Sequence, residues 1–151
     1  MYQRILVPID GSDTAARGLT EAIALARELK ATLRLLNLTS DFALMVEMSS
    51  AINFEQYREG LSQFGHRLLA KASEQASAQG VASETSMHEL RGGRVADAIV
   101  AEARKSHCDL IVIGTHGRRG VSRAMLGSDA ENVMRSSPVP VLLVREPATV
   151  S

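Results

Sequence analysis

A chain of 151 residues suits one domain around one core, because a split into two would leave each half too small to bury enough apolar surface. Its 17 basic and 17 acidic side chains cancel, which argues against a general nucleic-acid or membrane-surface binder. The strongest apolar runs, Leu110 to Ile113 and Val139 to Val144, fall far short of the roughly 20 residues a membrane helix needs.

From the first residues the chain reads as a strand, with Ile5, Leu6, Val7 and Ile9 apolar and Pro8 inside. No charged segment precedes a long apolar one, so export is not expected and a cytoplasmic protein is. The strand stops at Asp10-Gly11-Ser12. Ser12 is placed to cap a helix, Asp13 suits its first turn, and Ala15, Ala16, Leu19, Ala22, Ile23, Ala26 and Leu29 recur at helical spacing. Thr32 to Leu38 is a second strand, whose nearly unbroken apolar run suits a sheet covered on both faces. Residues 39–53 are irregular, a loop or short helical excursion in which Met45 and Met48 fill a core edge or pack on a ligand. A long helical pattern from Asn53 to Gln79 follows, with Gly80 as the left-handed residue that ends it.

Glu84 to Leu90 alternates weakly as a third strand, and Gly92-Gly93 opens a helix through Val95, Ala98, Ile99, Ala101 and Ala103. Cys108, the single cysteine, has no partner for an internal disulfide and reads as a small packed residue rather than a reactive thiol. Asp109 to Ile113 is a buried strand. Past a glycine-rich stretch, Ser128 is placed to cap a helix through Ala130, Val133 and Met134, which Ser136-Ser137-Pro138 stops. Pro140 to Val144 is the last strand. Strands alternating with helices, joined by right-handed crossovers, give one α/β domain over 1–151 with a mostly parallel sheet and helices on both faces.

From the fourth strand to the start of the last helix, residues 109–128 carry four glycines and three arginines. That is the layout of a phosphate cradle: glycine lets main-chain N–H groups approach an anion, and a helix N-terminus adds unpaired donors and a positive dipole end. The spacing, Gly114-x-x-Gly117 and then Gly127-Ser128 after nine residues, fits neither a P-loop nor a dinucleotide fingerprint. In open sheets of this kind ligands bind beyond the strand carboxyl ends, where the strand order reverses. Two turns compete for that place, Asp10-Gly11-Ser12 and Gly114 to Ser128; a carboxylate facing a glycine-rich loop suits a nucleotide.

These segments, Ile5 to Ser12, Leu110 to Gly117, Gly127-Ser128 and Pro138 to Arg145, together resemble the universal stress protein family, in its ATP-binding branch. The resemblance spans nearly the whole chain. It implies a Rossmann-like, doubly wound, five-stranded parallel sheet in the order 3-2-1-4-5 and a cytoplasmic homodimer built through the last strand, Val139 to Arg145. It also implies ATP, with or without Mg²⁺, at the strand ends. By position, Asp10 matches the carboxylate beside the nucleoside, with Pro8 and Ile9 on the same strand end. Leu38 matches the main-chain position at the adenine edge. Ile113 and Gly114 border the ribose; Thr115, Gly117, Arg118, Gly127 and Ser128 belong to the phosphate loop. Asp129 is a departure, since an apolar residue is expected after Gly-Ser; an acid there suits the helix dipole but repels a triphosphate unless a divalent cation intervenes.

Each feature also has a plainer reading. Asp10 alone would cap a turn, and Arg118, Arg119 and Arg123 would form a solvated loop surface. His116 reads as a binding group or bystander rather than a catalyst, and His66, His88 and His107 show no metal-ligand spacing. Three functions stand open: an ATP-binding regulatory homodimer, a slow ATPase or nucleotidyl transferase drawing on His116, Asp10 and Asp129, and a dimerisation module without nucleotide.

Overall fold

The computed structural model describes residues 1–39, 54–90, 92–116 and 126–146. Along them run β1 (Arg4–Pro8), α1 (Asp13–Leu29), β2 (Thr32–Thr39), α2 (Phe54–Ala78), β3 (Ser83–Glu89), α3 (Val95–Lys105), β4 (Leu110–Gly114), α4 (Ser128–Ser136) and β5 (Val141–Val144). The strands form one sheet in the order β3-β2-β1-β4-β5, and every pairing is parallel. This is the five-stranded, doubly wound order expected from the sequence. The chain leaves β1 toward β2 and β3, then returns to β4 on the other side, so the order reverses between β1 and β4.

Period-2 alternation divides the strand side chains between two cores. Ile5, Val7, Leu33, Leu35, Leu110 and Val112 pack with Leu19, Ile23, Leu69 and Ala72, so α1 and α2 cover one face. Leu6, Leu36, Ile111 and Ile113 pack with Ala96, Ile99, Ala130 and Val133, so α3 and α4 cover the other. Removing these side chains from water is the main drive for the layers to close. No helix among the described residues is long and apolar enough to cross a membrane.

The caps explain where elements begin. Ser12 Oγ accepts the Ala15 amide at 3.1 Å, as its spacing predicts, and Gly80 at φ +75° follows α2 in the left-handed turn expected of it. Ser128 does not act as the cap expected of it. The N-cap of α4 is Gly127, without a side-chain cap bond, and Ser128 is the first helical residue. Gly127 N donates to Thr115 O at 2.7 Å, which commits the chain to the helix one residue early.

Polar residues organise the β2–β3 end of the sheet. Glu102 of α3 is buried and receives Arg34 Nη2 at 2.9 Å, Ser106 Oγ at 2.9 Å and His88 Nε2 at 2.9 Å. Burial opposes its charge, but the hydrogen bonds from His88, Ser106 and Arg34 prevail and hold the carboxyl down at about 2. Beside it, Arg4 bridges to Glu84 at 2.7 Å, and that hydrogen bond lowers the Glu84 carboxyl.

Candidate functional site

Two chain segments meet where the strand order reverses. β1 ends at Pro8; Ile9 is buried, and Asp10, half-buried, accepts the Ser12 amide through Oδ1 at 2.8 Å. Asp10 therefore shapes its own turn, as the plainer reading holds, while standing at the carboxyl end of the central strand. Gly11, at φ +86°, lets the chain reverse into α1 within two residues.

The second segment follows β4. Ile113 is buried, Gly114 ends the strand, and Thr115 is buried behind it. Thr115 works as a brace: its amide donates to Val144 O at 2.9 Å, its carbonyl takes the Gly127 amide, and its hydroxyl lies 3.0 Å from His116 Nδ1. Gly127 is buried, and a Cβ there would come within 2.8 Å of Thr115 O. Ser128 and Asp129 are exposed in the first turn of α4, where the positive end of the helix dipole favours an anion.

What joins the segments is α1. The Thr14 hydroxyl donates to the His116 carbonyl, and a Cβ on Gly114 would lie 2.7 Å from Thr14 O and 2.9 Å from Thr14 Cβ. Only glycine at 114 allows the first turn of α1 to sit against the end of β4. Gly18 continues that approach one turn on, its Cβ position 3.5 Å from Gly114 N. Neither Thr14 nor Gly18 stood out in the sequence. The available signal was a polar residue buried among the apolar positions of α1, beside a glycine inside a helix.

Leu38 lies near the carboxyl end of β2, half-buried against the second core. Its neighbour Asn37, which sequence reading passed over, is buried and donates Nδ2 to Ile9 O at 2.8 Å. Pro8, Ile9, Asp10, Leu38, Ile113, Gly114, Thr115 and His116 thus belong to strand ends or to the turns that follow them, and Gly127, Ser128 and Asp129 to the start of α4. Gly117, Arg118, Arg119 and Arg123 lie outside the described residues, as do Met45 and Met48.

Other candidates take structural roles. His88 is engaged by Glu102 and Ser86 through Nε2, and His107 turns the chain between α3 and β4 at φ +54°. Cys108 is buried, and burial pushes its thiol up to about 11, so it stays protonated near neutrality. Among the described residues no group of three His, Cys, Asp or Glu side chains is arranged to hold a metal ion.

These features define a Rossmann-like α/β protein whose candidate site lies at the switch point of a doubly wound sheet. Residues 1–145 match the pattern of the universal stress protein family, and the chain belongs to that family. It is 35% identical over 147 residues to the universal stress protein MJ0531 of Methanocaldococcus jannaschii, covering 97% of this chain and 84% of that one. Among solved structures, a protein of the same family from Burkholderia pseudomallei superimposes with a TM-score of 0.78 at 28% identity, covering 96% of this chain and 97% of the other. A universal stress protein in complex with cAMP is similar at 26% identity and a TM-score of 0.67, covering 95% of this chain and 97% of that one.

Proposed function

We propose that the chain is a single-domain, ATP-binding regulatory protein that works as a homodimer, with its nucleotide site at the carboxyl ends of β1, β2 and β4. The observation that carries this reading is the convergence of the Asp10 turn with Gly114 to His116 and with Gly127, held together by Thr14, by the Gly127–Thr115 bond and by the close packing at Gly114. A carboxylate on one turn and main-chain donors at a helix start on the other are the chemistry a nucleotide needs. The related structure with cAMP supports an adenine ligand.

In this reading Asp10 addresses the nucleoside and the Leu38 main chain meets the adenine edge. Ile113 and Gly114 border the ribose, and Gly127, Ser128 and the first amides of α4 hold phosphate. Gly117, Thr115 and Arg118 complete the loop. A helix start fits an anion: Gly127 caps α4 with no side-chain cap bond, and the positive end of the helix dipole faces that turn. Asp129 on that same turn calls for Mg²⁺ to accompany the phosphates. Nucleotide occupancy would change the surface that the dimer presents to its partners.

The test is to denature the purified protein, identify any nucleotide released, and titrate the stripped protein with ATP, AMP and cAMP by calorimetry. Adenine nucleotide in the released fraction, or saturable ATP binding, supports the proposal; neither one overturns it. Steady-state phosphate release measured alongside would favour the slow ATPase instead.

A further inference from the structure

Asn37 is the buried polar residue that the site as described leaves without a role. It is 4% exposed near the carboxyl end of β2, its Nδ2 donates to Ile9 O at 2.8 Å, and its Oδ1 has no hydrogen-bond partner among the described residues. One hydrogen bond made and one acceptor orphaned roughly cancel in stability. What the amide supplies is a partner for the Ile9 carbonyl, which leucine, alike in branching but bulkier, would leave unpaired.

Ile9 lies one residue beyond the end of β1. Its amide is held by Leu36 O at 2.7 Å and its carbonyl by Asn37, so the peptide just before Asp10 is pinned to β2 at both ends. Asn37 is itself fixed from the opposite side. A Cβ at Gly65 of α2 would fall against Asn37 Oδ1 and within 2.8 Å of Met87 Sδ, so α2 packs directly onto the amide through a residue with no side chain. Ile9 and Gly65, which the amide meets directly, carry no titratable group, and neither does Met87, which packs beside Gly65.

We propose that Asn37 is the positioning residue of the Asp10 turn: its amide, clamped beneath α2 at Gly65, fixes the Ile9 carbonyl and with it the direction in which Asp10 leaves the sheet. Because Asn37 precedes Leu38, the same residue sets the Asp10 turn and the end of β2 at one height. Its role in ligand affinity rests on the nucleotide reading above; its role in fixing the turn does not.

The experiment compares Asn37→Leu and Asn37→Asp with the native protein in two measurements. In ligand-free protein, hydrogen exchange reads the Ser12 amide, which is bound to Asp10 Oδ1. In the second, calorimetry reads ATP affinity. Asn37→Leu is expected to lower Ser12 protection about tenfold and to weaken ATP about tenfold, the size of one hydrogen bond. Protection at Ala31 and Leu33, at the far end of the sheet, should hold. In Asn37→Asp burial raises the carboxyl, so near about pH 5 it is protonated and can donate to Ile9 O, while near about pH 9 it is ionised and repels that carbonyl. Relative to the native protein at each pH, protection and affinity should then be retained in acid and lost in base.

Native Ser12 protection in both variants overturns the proposal, as does an equal loss of protection across the whole sheet without the pH profile. If the native protein binds no ATP, the nucleotide reading falls, and the exchange measurement still decides whether Asn37 fixes the turn.

Discussion

Glu102 is 3% exposed and ionised, a combination that normally costs a protein stability unless donors surround the carboxylate. Here Arg34, Ser106 and His88 do so, and the carboxyl sits at about 2 against an ordinary 4.5. A folded value below the unfolded one means the ionised group stabilises the fold above the unfolded value. That stabilisation is lost as pH falls from about 4.5 toward 2. Glu102→Gln should destabilise the protein at pH 7 by roughly 1–3 kcal/mol, the cost of an orphaned polar partner, and make its melting temperature fall less steeply in acid than that of the native protein. Parallel acid limbs in the two proteins would remove Glu102 from the account. At the other end of the sheet, Asp129 is exposed in the first turn of α4, where it suits the helix dipole but opposes a bare polyphosphate. Asp129→Val should bind Mg²⁺-free ATP more tightly than the native protein does, with the gap narrowing once Mg²⁺ is added. Equal dissociation constants by calorimetry without the metal would show that the acid does not face phosphate.

Elements meet here through glycines as much as through apolar stripes. Gly114→Ala would set a methyl 2.7 Å from the Thr14 carbonyl oxygen, which is backbone inside a helix and cannot rotate away. The expected cost is about 1–3 kcal/mol in chemical denaturation, with weaker ATP binding because the two turns are forced apart. An unchanged denaturation midpoint would mean that α1 and β4 do not pack this closely. The same contrast marks what could be read before the fold was known. The start of α1 and the end of α2, the five strands and the two-sided burial of β2 and β4 follow from local signals such as the Ser12 cap, Gly80, and apolar spacing of 2 or 3.6, which a single segment carries alone. Ser128 was misplaced by one residue because the Gly127 amide is taken by Thr115, a bond set by the return of the loop onto β4. Thr14 and Asn37 escaped notice for a related reason. A buried threonine and a buried asparagine become informative only when the partners, His116 and Ile9, are brought next to them from 102 and 28 residues away. Asp10 and Gly127 were legible because a carboxylate after a strand and a glycine before a helix each have a meaning without tertiary contacts.

At the scale of the whole molecule, the sheet has two edges that are protected differently. β3 carries Glu84, His88 and Glu89, engaged by Arg4, Glu102 and Arg58, so charge and ion pairs guard that edge. β5 is Val-Leu-Leu-Val, with Leu142 41% exposed at the opposite edge, and Met134 of α4 is 49% exposed. An apolar edge strand of this kind needs covering, and a second copy related by a two-fold axis offers a matching strand. Val141 packs against the second core, so a lysine there would disturb folding along with any interface. Leu142→Lys is the cleaner probe, since its side chain already reaches solvent and the substitution adds a charge without opening a cavity. The native protein should scatter light at about twice the 16.2 kDa chain mass, and the Leu142→Lys variant at the mass of one chain with its melting temperature nearly unchanged. A native monomer, or a variant that keeps the double mass, would rule out β5 as the dimer interface.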